Sequence, residues 1–265
     1  MESLSTAKIQ WFRRQLRSWG GQNLRDFQWR RTTDAYAIFV AEFLLQKTGA
    51  ATVAPVYDGF LKRYPTVEAL AGATVAKVDR LLQPLGLRFR AERLVESARI
   101  ICDDFGGKVP ATETELLKLP GVGKYTARCI LANAYLQPAA ILDTNVARIL
   151  ERFFGLEGDR VKSRCKLLWG AADRVAPRKD VSKWNLTLLD FGAAVCTAKN
   201  PGCGECPLRE RCDYAITEGE GSEKEVAIAL KIEGTGPDLV KAPVRTEVIP
   251  SGENAVSYRV EYNSG

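Results

Sequence analysis

The chain has 265 residues, enough for one large domain or two smaller lobes with a buried core. It contains no histidine, which excludes Ser-His-Asp and Cys-His catalysis and leaves acid–base chemistry to carboxylates, tyrosine or lysine. The net charge of the whole chain is +6. Residues 215–265 hold 5 basic and 9 acidic residues, a net charge of −4, so residues 1–214 carry a net charge of +10. A basic body with an acidic tail favours a polyanionic partner such as nucleic acid.

The pattern of apolar residues and cysteines indicates the compartment. No segment is apolar over the roughly 20 residues that a bilayer-spanning helix needs, so we expect no membrane partner. Residues 1–5 lack the basic and apolar regions of a signal peptide, which favours a cytoplasmic protein. In a reducing compartment, seven cysteines favour metal or thiol chemistry over a disulfide framework.

Helical periodicity begins near the N-terminus. Apolar residues between Ile9 and Trp19 recur every three or four positions and predict an amphipathic helix that stops at Gly20-Gly21. The next predicted helix, residues 35–47, is strongly apolar and lacks glycine and proline, so we expect it to be mostly buried.

Later helices have recognisable starts. Pro65-Thr66 predicts one helix start, and Thr112 with Glu115 predicts a second through a capping box. Further predicted helices cover residues 88–105, 123–136, 144–154, 162–176 and 183–195. No hairpin signal appears before the C-terminal tail, so the body is predicted to be all-α.

The C-terminal segment has a different pattern. Residues 215–225 are charged and contain glycine, which is typical of a solvated linker. From Val256 to Tyr262, apolar and polar residues alternate as in a strand, after a turn predicted at Pro250-Ser251-Gly252. We expect residues 226–265 to form a small β-rich appendage of three short strands.

Four cysteines near the end of the body can converge on one metal centre. They are Cys196, Cys203, Cys206 and Cys212, in the pattern C-x6-C-x2-C-x5-C. A zinc ribbon usually has two CxxC pairs, whereas the iron corners of a [4Fe–4S] cluster lie further apart and suit uneven spacing. We expect a [4Fe–4S] cluster, with a zinc ion or unliganded thiols as alternatives. We expect Cys102, Cys129 and Cys165 to be small buried apolar residues.

The segment Leu119–Ala127, LPGVGKYTA, joins two predicted helices. Pro120 ends the first helix, while Gly121 and Gly123 permit positive φ and leave backbone amides uncovered. The second helix then begins with free N–H groups, which bind a phosphate without reading a base, and Lys124 adds charge. An ordinary turn between helices is the alternative. The residues assigned to DNA binding here are Gly121, Val122, Gly123, Lys124 and Thr126.

With the cysteine cluster, this hairpin resembles the helix-hairpin-helix DNA glycosylase superfamily, the group of endonuclease III. Ile141–Val146 (ILDTNV) and Ala41–Thr48 (AEFLLQKT) also match, and the likeness covers about residues 25–213. It implies two helical lobes with DNA between them. The implied regions are 1–24, an N-terminal helix of the cluster lobe; 25–136, a six-helix barrel with the hairpin; and 137–214, the iron–sulfur cluster lobe.

The resemblance also implies cleavage of an N-glycosidic bond after base flipping. Such cleavage needs a carboxylate near C1′ and a proton donor to the leaving base. Asp143 matches the family's catalytic aspartate, and it also fits a helix N-cap. Glu42 matches the glutamate with which adenine glycosylases protonate their base. It lies on an apolar helix where burial would raise its pKa, and a buried salt bridge is the alternative.

Two further positions follow from the resemblance. Tyr125 stands where endonuclease III has its Schiff-base lysine. Because a phenol cannot form an imine, base excision without strand cleavage is implied; core packing is the alternative. Gln46 matches a polar residue that fills the gap left by a flipped base, although an ordinary surface role also fits.

The combination of Gly123-Lys124-Tyr125-Thr126 with Glu42 and Asp143 resembles thymine-DNA mismatch glycosylases, so we expect excision of thymine or uracil opposite guanine. The alternative is an adenine glycosylase, but Pro84–Phe89 lacks that family's tyrosines, and about 40 residues after the linker are too few for its C-terminal domain. A non-catalytic DNA-binding or redox-sensing protein and a strand-nicking lyase are alternatives from other classes. The expected partner is double-stranded DNA with a mismatch or lesion, bound by a monomer.

Overall fold

Helices follow one another through the body of the chain. The computed structural model describes residues 4–86, 89–217, 245–251 and 255–261. In chain order the helices are α1 (Thr6–Asn23), α2 (Ala35–Leu44), α3 (Ala50–Arg63), α4 (Val67–Ala71), α5 (Val75–Leu82), α6 (Phe89–Phe105), α7 (Glu113–Leu116), α8 (Lys124–Ala134), α9 (Thr144–Phe154), α10 (Lys166–Val175) and α11 (Val181–Ala194). The prediction of a helical body is confirmed.

Short polar side chains cap the starts of several helices. Thr112 accepts a hydrogen bond from the Glu115 amide, which is the N-cap bond of the predicted capping box, while the Glu115 carboxylate accepts from the Thr112 hydroxyl instead of from its backbone amide. Thr66 caps α4 as predicted, and Asp34 and Asp143 cap α2 and α9. These side chains satisfy N–H groups that have no partner inside the helix, each contributing about 1 kcal/mol.

Helix α2 is buried from its second residue onward, as its apolar sequence predicts. It ends at Leu44, three residues before the predicted end. Lys47 has a φ of +54°, a left-handed conformation that cannot continue the helix. Arg90, on α6, holds this turn by donating to the Gln46 carbonyl at 2.7 Å.

Helix α1 passes through the predicted stop at Gly20-Gly21 and ends at Asn23, so that prediction was wrong. The reason for Gly20 is packing against α11. A Cβ at Gly20 would overlap the hydroxyl of Thr187, whereas a Cβ at Gly21 would meet no atom within 4 Å. Gly20 therefore permits the close approach of α1 and α11.

Two hydrophobic cores lie within the compact unit formed by residues 1–216. One core gathers side chains between Trp29 and Leu131, from α2 to α8. In the other, α1 packs with α9, α10, α11 and the cysteine segment, around Phe12 and Phe153. No described helix is both long and apolar enough to cross a bilayer. The predicted domain boundaries themselves stay predictions.

Two strands lie in the C-terminal unit, residues 217–265. Strands β1 (Arg245–Ser251) and β2 (Ala255–Glu261) pair antiparallel, with the Cα of Arg245 opposite that of Glu261. The predicted turn at 250–252 therefore begins within β1. The remaining residues of the predicted linker and appendage, 218–244, 252–254 and 262–265, lie outside the described residues, so a three-stranded appendage stays a prediction.

The two adjacent glycines of α1 provide a matched test of helix packing. Gly21→Ala should leave stability unchanged or raise it by up to about 1 kcal/mol, because alanine favours the helix and meets no neighbour. Gly20→Ala should instead destabilise by about 1–3 kcal/mol through overpacking against Thr187. Urea unfolding midpoints measure both, and adding Thr187→Ala should recover part of the loss. Equal midpoints for the two glycine variants would contradict this account of α1.

Candidate active site

A cavity of about 400 Å³ lies where residues of the two hydrophobic cores meet. This volume is within the range of sites that bury a small organic ligand. Helix α2 contributes Glu42, helix α8 contributes Tyr125 and Cys129, and the start of α9 contributes Asn145. Two residues predicted to be catalytic, Glu42 and Tyr125, are thus brought to one cavity.

Glu42 is a carboxyl group on an otherwise apolar helix, and its exposed fraction is 9%. Burial raises the pKa of Glu42 to about 7, while a hydrogen bond with Cys129 and the positive charge of Arg30 oppose part of that rise. The side chain forms no salt bridge within 4 Å among the described residues, so the alternative of a buried salt bridge does not apply. A carboxyl that titrates near neutral pH can donate a proton.

Tyr125 and Cys129 lie one turn apart on α8. Burial raises the pKa of Tyr125 well above its usual value, and the negative charges of Cys129, Glu42 and Asp143 add to the effect. The phenol therefore stays neutral and able to donate a hydrogen bond. The Cys129 thiol interacts electrostatically with both Glu42 and Tyr125. Its burial was predicted, but its place between two candidate catalytic groups was not, since nothing in the sequence distinguishes it from a core cysteine.

Asp143 caps α9, which was its alternative role in the sequence. Its Oδ1 accepts the Val146 amide at 2.7 Å, and its Oδ2 accepts the side-chain amide of Asn145 at 2.9 Å. Burial raises the pKa of Asp143, and these hydrogen bonds oppose the rise. Asp143 does not itself line the cavity, but Asn145 does, and the charge of Asp143 acts on Tyr125. The cap thereby fixes the carboxylate beside the cavity.

An ion-pair cluster lies at another part of the cavity wall. Asp190 is almost fully buried and accepts hydrogen bonds from Arg25 at 2.6 Å and from Arg30 at 2.7 Å. Burial alone would raise the pKa of Asp190, but the hydrogen bonds from the two arginines outweigh it and lower the pKa. Both arginines line the cavity, and Nε of Arg30 is buried without a hydrogen-bond partner among the described residues. No local pattern in the sequence predicts this long-range pairing.

The hairpin precedes α8 as expected, but its two glycines differ. Gly121 has a φ of +84°, whereas Gly123 has a φ of −99° and is the N-cap of α8 without any side-chain hydrogen bond. The first amides of α8 are therefore free to meet an anion. The amide of Val122 donates to the Leu119 carbonyl, which removes it from the predicted phosphate donors. The side chains of Val122 and Thr126 are buried, so they are not accessible for contacts with DNA.

Two other residues assigned to DNA binding have partners within the protein. Lys124 lies over the ring of Trp169, with Nζ 4.3 Å from the ring centroid. Gln46 donates from Nε2 to the Gly121 carbonyl at 3.0 Å. The turn after α2 is thus hydrogen-bonded to the hairpin, a contact that the sequence did not predict.

The four cysteines of the predicted cluster line one cavity together with Ile149, Phe153 and Leu208. Within the described part of the chain, no three His, Cys, Asp or Glu side chains are arranged to hold a single metal ion. Four thiols around a shared cavity are the donor set that a [4Fe–4S] cluster uses. A guanidinium N–H of Arg152 lies 3.6 Å from the Cys196 sulfur, a suitable donor to a thiolate.

Helix α9 joins this cluster loop to the cavity. Arg148 donates to the side-chain oxygen of Asn145 at 2.8 Å and to the backbone carbonyls of Gly192 and Cys196, each at 2.7 Å. Arg152, one turn later, donates to the Thr197 carbonyl at 2.6 Å. These two arginines were not predicted, although their spacing of four places them on one helix face.

The raised pKa of Glu42 predicts how stability depends on pH. The folded protein retains this proton up to about pH 7, while the unfolded chain loses it near pH 4.5, so stability falls as pH rises between these values. Glu42→Gln should then be more stable than the wild type by about 2–3 kcal/mol at pH 8 and by less than about 1 kcal/mol at pH 5. Urea unfolding at both pH values measures this difference.

Glu96→Gln, at an exposed position of α6, is the matched control and should not reproduce the effect. If Glu42→Gln were no more stable than the wild type at pH 8, Glu42 would be ionised and favourably paired in the folded protein.

Comparison with known protein families gives two matches. Residues 40–171 match the HhH-GPD superfamily base excision DNA repair protein family. Residues 196–212 match the iron-sulfur binding domain of endonuclease III. The second match covers all four predicted cluster ligands, and the predicted [4Fe–4S] cofactor is confirmed.

Individual proteins are similar over most of the body. The thymine-DNA glycosylase of Aeropyrum pernix is 40% identical over 218 residues, which are 81% of this chain and 95% of that protein. The adenine DNA glycosylase of Homo sapiens is 37% identical over 78% of this chain, but only 40% of its own length is covered. A solved structure of a thermostable thymine-DNA glycosylase has a TM-score of 0.77 and 33% identity, covering 80% of this chain and 98% of its own. The chain therefore belongs to the HhH-GPD superfamily of base excision DNA repair proteins and is a DNA N-glycosylase with an iron–sulfur cluster.

Proposed function

We propose that this glycosylase is monofunctional and excises thymine or uracil opposite guanine. The observation that carries the proposal is the neutral phenol of Tyr125 in a cavity whose described lining includes no lysine. Without an amine, the cavity offers no group that forms an imine with the sugar, so strand cleavage is not expected. The choice of base rests on the relatives named thymine-DNA and thymine/uracil-DNA glycosylases, which are 36–40% identical to this chain.

Opposite charges develop on the sugar and the base as the glycosidic bond breaks, and Asp143 and Glu42 each stabilise one of them. Positive charge on the sugar is stabilised by the Asp143 carboxylate, whose orientation is fixed by its hydrogen bonds to Val146 and Asn145. Glu42, which is protonated below about pH 7, donates its proton to the leaving base. Water then adds to C1′, and the proton that it releases restores Glu42. Tyr125 contributes a hydrogen-bond donor that does not ionise near neutral pH.

The substrate reaches these groups by flipping out of the duplex into the cavity. The free amides at the start of α8, with Gly121, Gly123 and Lys124, hold a backbone phosphate, and Gln46 occupies the gap in the stack. The iron–sulfur cluster, when bound by Cys196 and its three partner cysteines, holds their loop in place. The protein acts as a monomer. It works in the cytoplasm, and on the nucleoid if bacterial. DNA lies between a barrel of residues 25–136 and a cluster lobe formed by residues 1–24 and 137–214. The tail of residues 226–265, predicted to be β-rich, has no assigned role in this scheme.

A panel of end-labelled duplexes tests the proposal. The panel contains G·T, G·U, A·8-oxoguanine, A·G and undamaged pairs, each incubated with enzyme and then treated with or without hot alkali. We expect alkali-dependent cleavage at the thymine or uracil of the G mismatches. Cleavage at adenine would identify the alternative, an adenine glycosylase. Cleavage without alkali would overturn the monofunctional assignment based on Tyr125.

Asp143→Asn separates catalysis from binding on the same panel. The amide keeps an oxygen for capping α9 but loses the negative charge, so we expect excision to slow by at least about 100-fold. Binding to the mismatched duplex, measured by fluorescence anisotropy, should change little. Unchanged excision would favour a non-catalytic role for Asp143, and an inactive wild type would favour the DNA-binding alternative.

A further inference from the structure

An open pocket lies beside the start of α8, outside the cavity of the active site. Its lining combines the hairpin residue Lys124 with Ser163, Arg164, Lys166 and Trp169. The predicted helix over 162–176 is divided here, because a 3₁₀ turn precedes α10. Arg164, at the end of the 3₁₀ turn, and Lys166, at the start of α10, are both exposed at this break between the two elements.

The positive charge of the pocket is not neutralised within the protein. Arg164 and Lys166 are exposed, and their side chains form no hydrogen bond or ion pair with any described residue. Asp173, the acidic residue of the pocket, is paired with Arg128 at 2.5 Å. By contrast, the neighbouring Lys162 is paired with Glu151 at 2.5 Å. Two free cations therefore remain beside Lys124.

Trp169 makes the pocket a defined part of the fold. Its ring lies under Lys124 Nζ at 4.3 Å, and its indole N–H donates to the Ser163 carbonyl at 2.9 Å. The ring thereby connects the first residue of α8 with the turn that carries Arg164. Lys124, held over this ring, loses less freedom when it binds an anion than a flexible surface lysine does.

We propose that this pocket, formed by Ser163, Arg164 and Lys166, is a second binding site for a DNA backbone phosphate. It would take a phosphate close along the strand to the one held at the hairpin, because Lys124 belongs to both sites. Arginine and lysine contact phosphates by charge, and the Ser163 hydroxyl adds a neutral donor. The inference rests on DNA binding through the hairpin, and it does not depend on which base is excised.

Binding of the full-length protein to an undamaged duplex tests the second site. Arg164→Ala/Lys166→Ala should weaken binding by about 10-fold at 100 mM salt, since one phosphate contact contributes about 0.9 to the slope of log K against log[salt]. The magnitude of that slope should fall by about 1. Arg164→Lys/Lys166→Arg should retain both values, because the contacts are made by charge.

Lys77→Ala/Arg80→Ala is the matched control, since it removes the same two charges from exposed positions on α5. The dissociation constant of this control should stay within twofold of the wild-type value. Its slope of log K against log[salt] should stay within 0.5 of the wild-type slope. Unchanged binding by Arg164→Ala/Lys166→Ala, or an equal loss in the α5 control, would overturn the proposal. Because the duplex is undamaged, failure of this site is distinguishable from failure of the proposed excision, which the mismatch panel measures.

Discussion

Helix α9 is the constraint on which the arrangement of the active site depends. Its first turn is capped by Asp143, and its second and third turns carry Arg148 and Arg152, which donate to the backbone of the cysteine loop. Hydrogen bonds from a charged donor contribute about 1.5–3 kcal/mol each, and buried carbonyls without partners would cost free energy. Hydrogen bonds therefore join the carboxylate to the cysteine loop through α9, and we expect a disturbance of the loop to reach Asp143 through Arg148 and Asn145.

The cavity imposes a second constraint, because it holds three groups that resist ionisation. Burial raises the pKa of Glu42, Tyr125 and Cys129, and the negative charge of any one of them would make ionisation of the others harder. Only Glu42 titrates near neutral pH. An apolar α2 is what makes this possible, since a polar helix would stabilise the carboxylate and return its pKa toward 4.5. The stability lost by burying Glu42 is thus linked to its proposed use as a proton donor.

The features that could be predicted from the sequence are those whose structure is determined by neighbouring residues in the chain. The cap at Thr112, the hairpin with its left-handed Gly121 and the four cysteines all depend on local spacing, and each was found from the sequence. The errors concern residues whose environment comes from distant segments. Gly20 was interpreted as a helix stop because the sequence does not show that Thr187 packs against it. The burial of Cys129 was predicted correctly, but its place beside Glu42 was missed, since Glu42 reaches it only after α2 and α8 pack together.

The proposed phosphate contacts and the candidate catalytic groups converge on α8. Gly123 and Lys124 begin this helix at the surface, while Tyr125, the next residue, and Cys129, one turn further, line the cavity. Because the helix rises only 1.5 Å per residue, a phosphate held at its start lies at a nearly fixed distance from Tyr125. The hydrogen bond from Gln46 to the Gly121 carbonyl joins the end of α2, and hence Glu42, to the same hairpin. A strand that docks its phosphates on the hairpin and the neighbouring basic pocket is thereby placed in register with both the phenol and the carboxyl group.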